Sequence, residues 1–388
     1  MKVLIAHASV GAGHTRAAEA ILEALRLRFP KVNAKTVDVL AAAPPLFRKI
    51  YGDGYLMLAR RYPRILGYLY RRLDEPGLWE GPGNNLRKIL QSSCAKGFRR
   101  LLEQERPDIL INTHFLPLEI ASDLKRRGLW KRPQICVTTD FEAHRLWAHL
   151  PCEHFFAATE KSAALLSLRG VSRQNISVSG IPIHPDFFSA RKERSQLSPR
   201  KRKTALLLLG GAALGPMEDF FDALLRARTP LEIIAICGKN ETTRRRLEKK
   251  SFPARHRAVI LGFTHEIPKL MAQSDFLITK PGGLTVSEAL AVGVPILSVS
   301  PIPGQETGNE NYIVSQGAAR RVLSTEALPG AIDEFLKRPE TLLKARDCAL
   351  SLGRPEAAFL IAKKAVELAL EASPSQEQIQ VLREPVAV

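Results

Sequence analysis

The chain has 388 residues, 45% of them apolar, which is too long for one ordinary core and fits a globular protein of two domains. It holds no run of the ~18–20 apolar residues that span a bilayer, and its opening MKVLIAHASVGAGH reaches glycine and histidine too soon for a secretion signal. The net charge of +18 predicts an anionic partner (nucleotide, nucleic acid or anionic membrane) without choosing among them, while five cysteines without a C-x-x-C spacing read as reduced cytoplasmic thiols.

Apolar, β-branched runs alternate with helical patterns along the whole chain. In the first half they are KVLIAHA, AKTVDVL, DILINTH, QICVTTD, HFFAAT and ISVSGIPI. In the second half they are TALLLLGG, LEIIAICG, AVILGF, FLITK, PILSVS and ARRVL. Strands without polar alternation, separated by helices such as 13–29, imply parallel sheets covered on both faces. The expected fold class is therefore α/β, with two doubly wound Rossmann-like domains facing a central cleft, and ligands at the carboxyl ends of the strands. The expected boundaries are 1–188 for the first domain, a charged linker over 189–203, and 204–350 for the second. A helix over 351–372 is expected to pack back on the first domain, and 373–388 to form a flexible tail.

The first strand runs into HASVGAGHTRAAEA. Gly11 and Gly13 bare the backbone at a strand-to-helix turn, and His14 sits where a helix start would keep an imidazole neutral and able to accept a proton. A dinucleotide fingerprint with Asp38 as its ribose acid competes with this reading. Its third glycine, however, would fall at Arg16. No Gly-Lys-Ser/Thr follows, which excludes a P-loop. Residues 47–73 hold five of the six tyrosines and seven Arg/Lys against one acid, Asp53. Tyrosines among cations suit a lipid headgroup zone, but a solvated basic helix or a nucleic-acid surface has the same composition. Histidines 144, 149 and 154 with Cys152 have spacings that do not converge on one helix face, so no metal site is expected.

In the second half, glycine turns follow successive strands at LLLLGGAALG (with Gly211), ICGKN, the ILGFTHE stretch and TKPGGLTVSEAL. Bare amides at Gly282 and Gly283, with the Thr285 hydroxyl, would receive a diphosphate at a helix start. Glu288 lies five residues past Gly283, roughly 7 Å along a helix rising 1.5 Å per residue. It either meets the vicinal hydroxyls of a ribose there or faces solvent. Gln305, Glu306 and Asn309 form a polar group on a loop after a buried strand, suited to sugar hydroxyls or to an ordinary surface turn.

HASVGAGHTRAAEAI, TKPGGLTVSEALAVGVPI and PIPGQETGNENYIV, with VTTDFEAHRLW and VSGIPIHPDF, together resemble the monogalactosyldiacylglycerol synthase and processive diacylglycerol glucosyltransferase family, within glycosyltransferase family 28. The likeness runs over most of residues 1–320. It implies a GT-B fold, a UDP-sugar donor, a diacylglycerol-type acceptor, and inversion at the anomeric carbon without an obligatory metal or other cofactor. By position it implies His14 as general base, Gly282, Gly283 and Thr285 at the diphosphate, Glu288 at the ribose, Phe263 at the uracil, and Gln305 and Glu306 at the sugar. Gly211 and Asn309 join the donor set. Gly13, His144, Trp147, Tyr55, Arg60, Arg61 and Tyr62 fall to the acceptor and membrane side. The expected function is transfer of a hexose from UDP to diacylglycerol, by a peripheral enzyme on the cytoplasmic face of the membrane with no nucleic-acid partner. The alternatives are a polyprenyl-linked or other lipid acceptor on the same scaffold, and an NAD(P)-dependent oxidoreductase.

Overall fold

A computed structural model describes residues 1–75, 82–196, 202–210 and 216–372; the side chains of 82–93 and of several positions between 46 and 60 are outside that description. The chain divides into two compact units. Met1–Pro185, Pro303–Gln305 and the stretch from Glu356 form the first, and Asp186–Ile302 with Glu306–Pro355 the second.

The first unit is built on strands β1 (Lys2–His7), β2 (Asn33–Asp38), β3 (Ile109–Asn112), β4 (Gln134–Val137), β5 (His154–Ala157) and β6 (Ile176–Val178). All pair in parallel, in the order β2-β1-β3-β4-β5-β6. Period-two side chains supply a core on each face. Val3, Ile5, Ile109 and Ile111 pack with the helices Ala12–Arg28 and Ala357–Ala372, while Leu4, Ala6 and Leu110 pack with Phe98, Leu102 and Leu116 opposite. Burial on both faces is why β1, β3, β4 and β5 read as largely apolar runs, whereas the edge strand β2 is only half-buried. The helix Ala357–Ala372 presents Ala358, Ala362, Ala365 and Ala369 to the alanine-rich helix behind β1, and the small side chains let the two backbones approach closely.

The second unit carries β7 (Lys203–Leu207), β8 (Leu231–Ile236), β9 (Arg257–Leu261), β10 (Phe276–Thr279), β11 (Ile296–Val299) and β12 (Ala319–Val322), parallel in the order β12-β11-β10-β7-β8-β9. Phe220, Phe221, Leu224, Ile332 and Phe335 cover one face of it. The charged stretch expected as a linker starts as a helix, Asp186–Ser195, which belongs to this unit. Arg194 is buried there, and its Nη1 donates to the carbonyls of Met271, Ala272 and Ser274, capping the end of the helix Ile267–Gln273. A charge that reads as solvated in the sequence is used inside the fold.

Each sheet reverses its strand order once, between β1 and β3 in the first and between β7 and β10 in the second. Ligands of doubly wound sheets bind at the carboxyl ends of such strands. The glycine loop of His14 follows β1, and the Gly282–Gly283 turn follows β10.

Candidate active site

In the first unit the turn after β1 is closed by a side chain. Asp38, at the end of β2, accepts from the Ser9 amide (3.2 Å), the Leu40 amide (3.0 Å) and the Ser9 hydroxyl (2.6 Å). Its carboxylate is committed to shaping the loop, so the dinucleotide reading loses its ribose acid. Gly11 lies at φ +91, a conformation open to glycine, and starts the helix Ala12–Arg28 with neither a side-chain cap nor an acid in its first turn. The space a Cβ at Gly13 would enter is empty to 4 Å.

His14 stands half-buried at this helix start. Its Nδ1 lies 2.9 Å from the Thr113 carbonyl oxygen and 2.9 Å from Thr139 Oγ1. A carbonyl only accepts, so Nδ1 carries the hydrogen and Nε2 the lone pair. Nε2 has no hydrogen-bond partner among the described residues. The His114 ring meets it edge-on at 4.5 Å and Trp147 lies at 6.3 Å. Burial lowers the His14 pKa to about 4 against a smaller opposing pull from the Thr113 carbonyl, so the ring is neutral at pH 7. The direction matches the sequence expectation, but the dominant cause is desolvation.

His144 and Trp147 are both buried. His144 Nε2 donates to the Tyr70 carbonyl (2.8 Å) and Nδ1 accepts from the Leu146 amide (3.1 Å), so both nitrogens are spent on the loop. That loop is also tied down by Asp74, which accepts from the Arg145 amide and, with both oxygens, from Arg169. Asp74 ends the helix Pro63–Asp74, whose outer surface exposes Ile65, Tyr68, Leu69 and Leu73 among Arg64, Arg71 and Arg72. Arg61 and Tyr62 are exposed just before it. The side chains of Tyr55 and Arg60 lie outside the described residues, as does Gly211.

In the second unit the helix Gly283–Val292 starts at Gly282 with no side-chain cap and no acid in its first turn, leaving its leading amides without side-chain acceptors. From Leu284 to Val292 every residue except Thr285 is buried. Glu288 is 2% exposed, which removes the solvent-facing reading. Glu306 lies against the same turn: its Oε2 accepts from the Ile302 amide (2.7 Å), and a Cβ at Gly282 would sit 3.7 Å from its Oε1. Burial pushes the Glu306 carboxyl up, opposed by that amide and by Lys280; burial likewise lowers Lys280.

Gln305 to Asn309 open the helix Gln305–Ser315 and do not lie on a loop as expected. Asn309 is buried and donates from Nδ2 to the Pro281 carbonyl (3.1 Å), tying this helix to the glycine turn. Buried Glu310 accepts from Ser298 (2.7 Å) and Arg321 (2.6 Å), fastening it to β11 and β12. Gln305 groups with the first unit and donates to Asp140 Oδ1 at 2.7 Å. Phe263 is 60% exposed just past β9, three strands from the glycine turn. His265 meets its ring edge-on at 5.0 Å, and Lys239 Nζ stands 5.8 Å from the centroid. Sequence reasoning missed His7, Thr113, His114 and Thr139, although each stands at or just past a strand end.

The histidines carry a stability consequence. His14 and His154 have pKa values of about 4 in the fold, and His114 lies well below its ordinary value, all through burial. Above pH 6.5 these rings are neutral both folded and unfolded. Between 6.5 and about 4 the unfolded chain takes up protons that the fold refuses, so stability falls with pH. Urea midpoints are expected to drop from pH 7 to pH 4.5; a constant midpoint would contradict neutral burial.

Among solved structures the chain is similar to Acinetobacter baumannii MurG, at 16% identity and TM-score 0.62, covering 94% of this chain and 99% of that one. It is also similar to the calicheamicin glycosyltransferase CalG4 (16%, TM-score 0.60, 96% and 99%) and to the S. aureus MnaA–UDP structure (15%, TM-score 0.60, 97% and 98%). The fold is thus GT-B, the architecture of nucleotide-sugar glycosyltransferases and epimerases.

The family model for monogalactosyldiacylglycerol (MGDG) synthase matches residues 14–183, and that for the glycosyltransferase family 28 C-terminal domain matches 217–360. The processive diacylglycerol beta-glucosyltransferase of Bacillus subtilis (strain 168) is 28% identical over 354 residues, 88% of each chain. That of Bacillus cytotoxicus is 28% identical over 394 residues, 99% of this chain and 97% of its own. Together the two models span most of the chain, and with these relatives they bear out its resemblance to the MGDG synthase and processive diacylglycerol glucosyltransferase family, within glycosyltransferase family 28.

Proposed function

We propose that this protein is an inverting glycosyltransferase that moves a hexose from UDP to diacylglycerol at a membrane surface. The observation that carries the reading is the uncapped helix start at Gly282–Gly283 with buried Glu288 inside the same helix. The Gly282 amide, expected to be bare, donates to the Lys280 carbonyl (2.8 Å), so the helix amides behind it and the helix dipole favour a diphosphate, and a carboxylate roughly 7 Å further on accepts two ribose hydroxyls. Phe263 offers a face for the uracil. Glu306 and Gln305 take sugar hydroxyls, while Asn309 and Glu310 hold their helix in place. The first unit is the acceptor domain and the second the donor domain.

In the reaction, the diacylglycerol hydroxyl gives its proton to His14 Nε2 as its oxygen bonds to the anomeric carbon on the face opposite UDP. The bond to the diphosphate breaks, and the electron pair leaves with UDP, whose charge the helix amides stabilise. Gly13, without a side chain, leaves room for the acceptor beside His14.

No helix among the described residues is long and apolar enough to cross a membrane. The exposed apolar side chains and arginines of the helix Pro63–Asp74, with the residues before it (Tyr55, Arg60, Arg61 and Tyr62), support an approach to the lipid from the cytoplasmic face of the membrane. Ile65, Leu69 and Leu73 enter the headgroup boundary, while Tyr68 and the arginines meet anionic lipid.

Incubation of the protein with diacylglycerol in anionic or neutral vesicles and a panel of UDP-hexoses tests this. One hexose should appear on the lipid, faster on anionic vesicles at low salt. Transfer to a polyprenyl phosphate alone, or to no lipid at all, would refute the acceptor; equal rates on both vesicles would refute the docking surface.

A further inference from the structure

We propose that Thr139 is a positioning residue for His14: with the Thr113 carbonyl it locks the ring in the Nδ1–H tautomer and aims the Nε2 lone pair at the acceptor hydroxyl. The base role of His14, on which this rests, is the reading given above.

Two anchors reach one nitrogen from neighbouring strands. Thr113 follows β3, Thr139 follows β4, and each places an oxygen 2.9 Å from Nδ1. If the Thr139 hydroxyl donated to a bare Nδ1, the Thr113 carbonyl would confront a lone pair at 2.9 Å, which is repulsive. The arrangement is therefore one N–H shared between two acceptors. A ring flip would put a carbon where Nδ1 stands and lose both contacts. Thr139 is buried, so water does not readily replace its hydroxyl. Thr113 is fixed in turn, because its Oγ1 donates to the His14 carbonyl at 3.0 Å. The adjacent Thr138 serves β5 instead, since its hydroxyl accepts the Ala158 amide (3.0 Å).

Histidine bases are commonly oriented by a carboxylate. Among the described residues none hydrogen-bonds to His14. Neutral oxygens orient the ring without stabilising its cation as a carboxylate would, so the captured proton is released readily before the next acceptor enters.

The test uses 15N-histidine NMR of the whole protein, which reads the tautomer without turnover, together with steady-state kinetics of Thr139→Val and Thr139→Ser. The wild type should show His14 wholly in the Nδ1–H form. Thr139→Val should show mixed tautomers and a kcat lower by about fivefold, the worth of one neutral hydrogen bond, with KM for the UDP-sugar unchanged. Thr139→Ser should restore both. An Nε2–H tautomer in the wild type overturns the proposal whether or not the variants fold, as does a Val variant with unchanged kcat and tautomer. A pure Nδ1–H form together with full turnover in His14→Ala would instead leave the anchoring standing and remove the base role.

Discussion

His14→Ala is expected to lower kcat about 10²–10⁴-fold, the usual contribution of a positioned general base, while leaving UDP affinity within about twofold. The separation follows from the fold. His14 belongs to the turn after β1 in the first unit, whereas the amides and Glu288 belong to the helix after β10 in the second. Its ring is backed by His114 and by Trp147, both buried and both in the first unit, so the substitution acts away from the donor helix. Isothermal titration with UDP and single-turnover transfer separate binding from chemistry. A variant that transfers sugar at the wild-type rate would place the base elsewhere.

The pH profile is the companion expectation. A base works while unprotonated, so activity is lost as pH falls through its pKa. With burial holding His14 near 4, the acid limb of kcat/KM should lie well below the 6.5 of a solvated histidine. Since global stability also declines over that range, the profile is to be read from initial rates after brief exposure.

The sheets were readily legible in the sequence. Central parallel strands covered on both faces are mostly apolar, the edge strands β2, β9 and β12 less so, and all twelve runs, KVLIAHA through ARRVL, became strands β1 to β12. The glycine turns were legible too, because bare amides before a helix are written as adjacent letters. The surroundings of His14 were not. Thr113 and Thr139 lie 99 and 125 residues beyond it and meet it only through the order β1-β3-β4, which no local spacing records.

Asp38 misled for a related reason. Its place at the end of β2 suits either a ribose or the neighbouring turn, and only the Ser9 contacts decide. QETGNENY lacks apolar periodicity and reads as a loop. It folds as a helix because Gly304, at φ +97, turns the chain and because Asn309 and Glu310 find buried partners. Arg194 hid in a charge run for the same reason: its acceptors are backbone carbonyls, which a sequence does not display.

Glu288→Ala should weaken UDP binding by about 10²-fold, the loss of two hydrogen bonds from ribose hydroxyls to a charged acceptor. Because Glu288 is buried, removing its carboxylate could also disturb the helix, and binding to the altered protein alone would not tell the two effects apart. A cycle with the ligand does. UDP and its 2′,3′-dideoxy analogue should differ by about 10²-fold on the wild type and hardly at all on Glu288→Ala, since the hydroxyls then have nothing to bond. General damage to the Gly282–Gly283 turn would weaken both ligands equally and preserve their ratio. An unchanged ratio would thus assign Glu288 to the fold and leave the ribose to another group. A collapsed ratio would mean that the helix which receives the diphosphate at its first turn reads the sugar of the nucleotide within its next, using one rigid element for both.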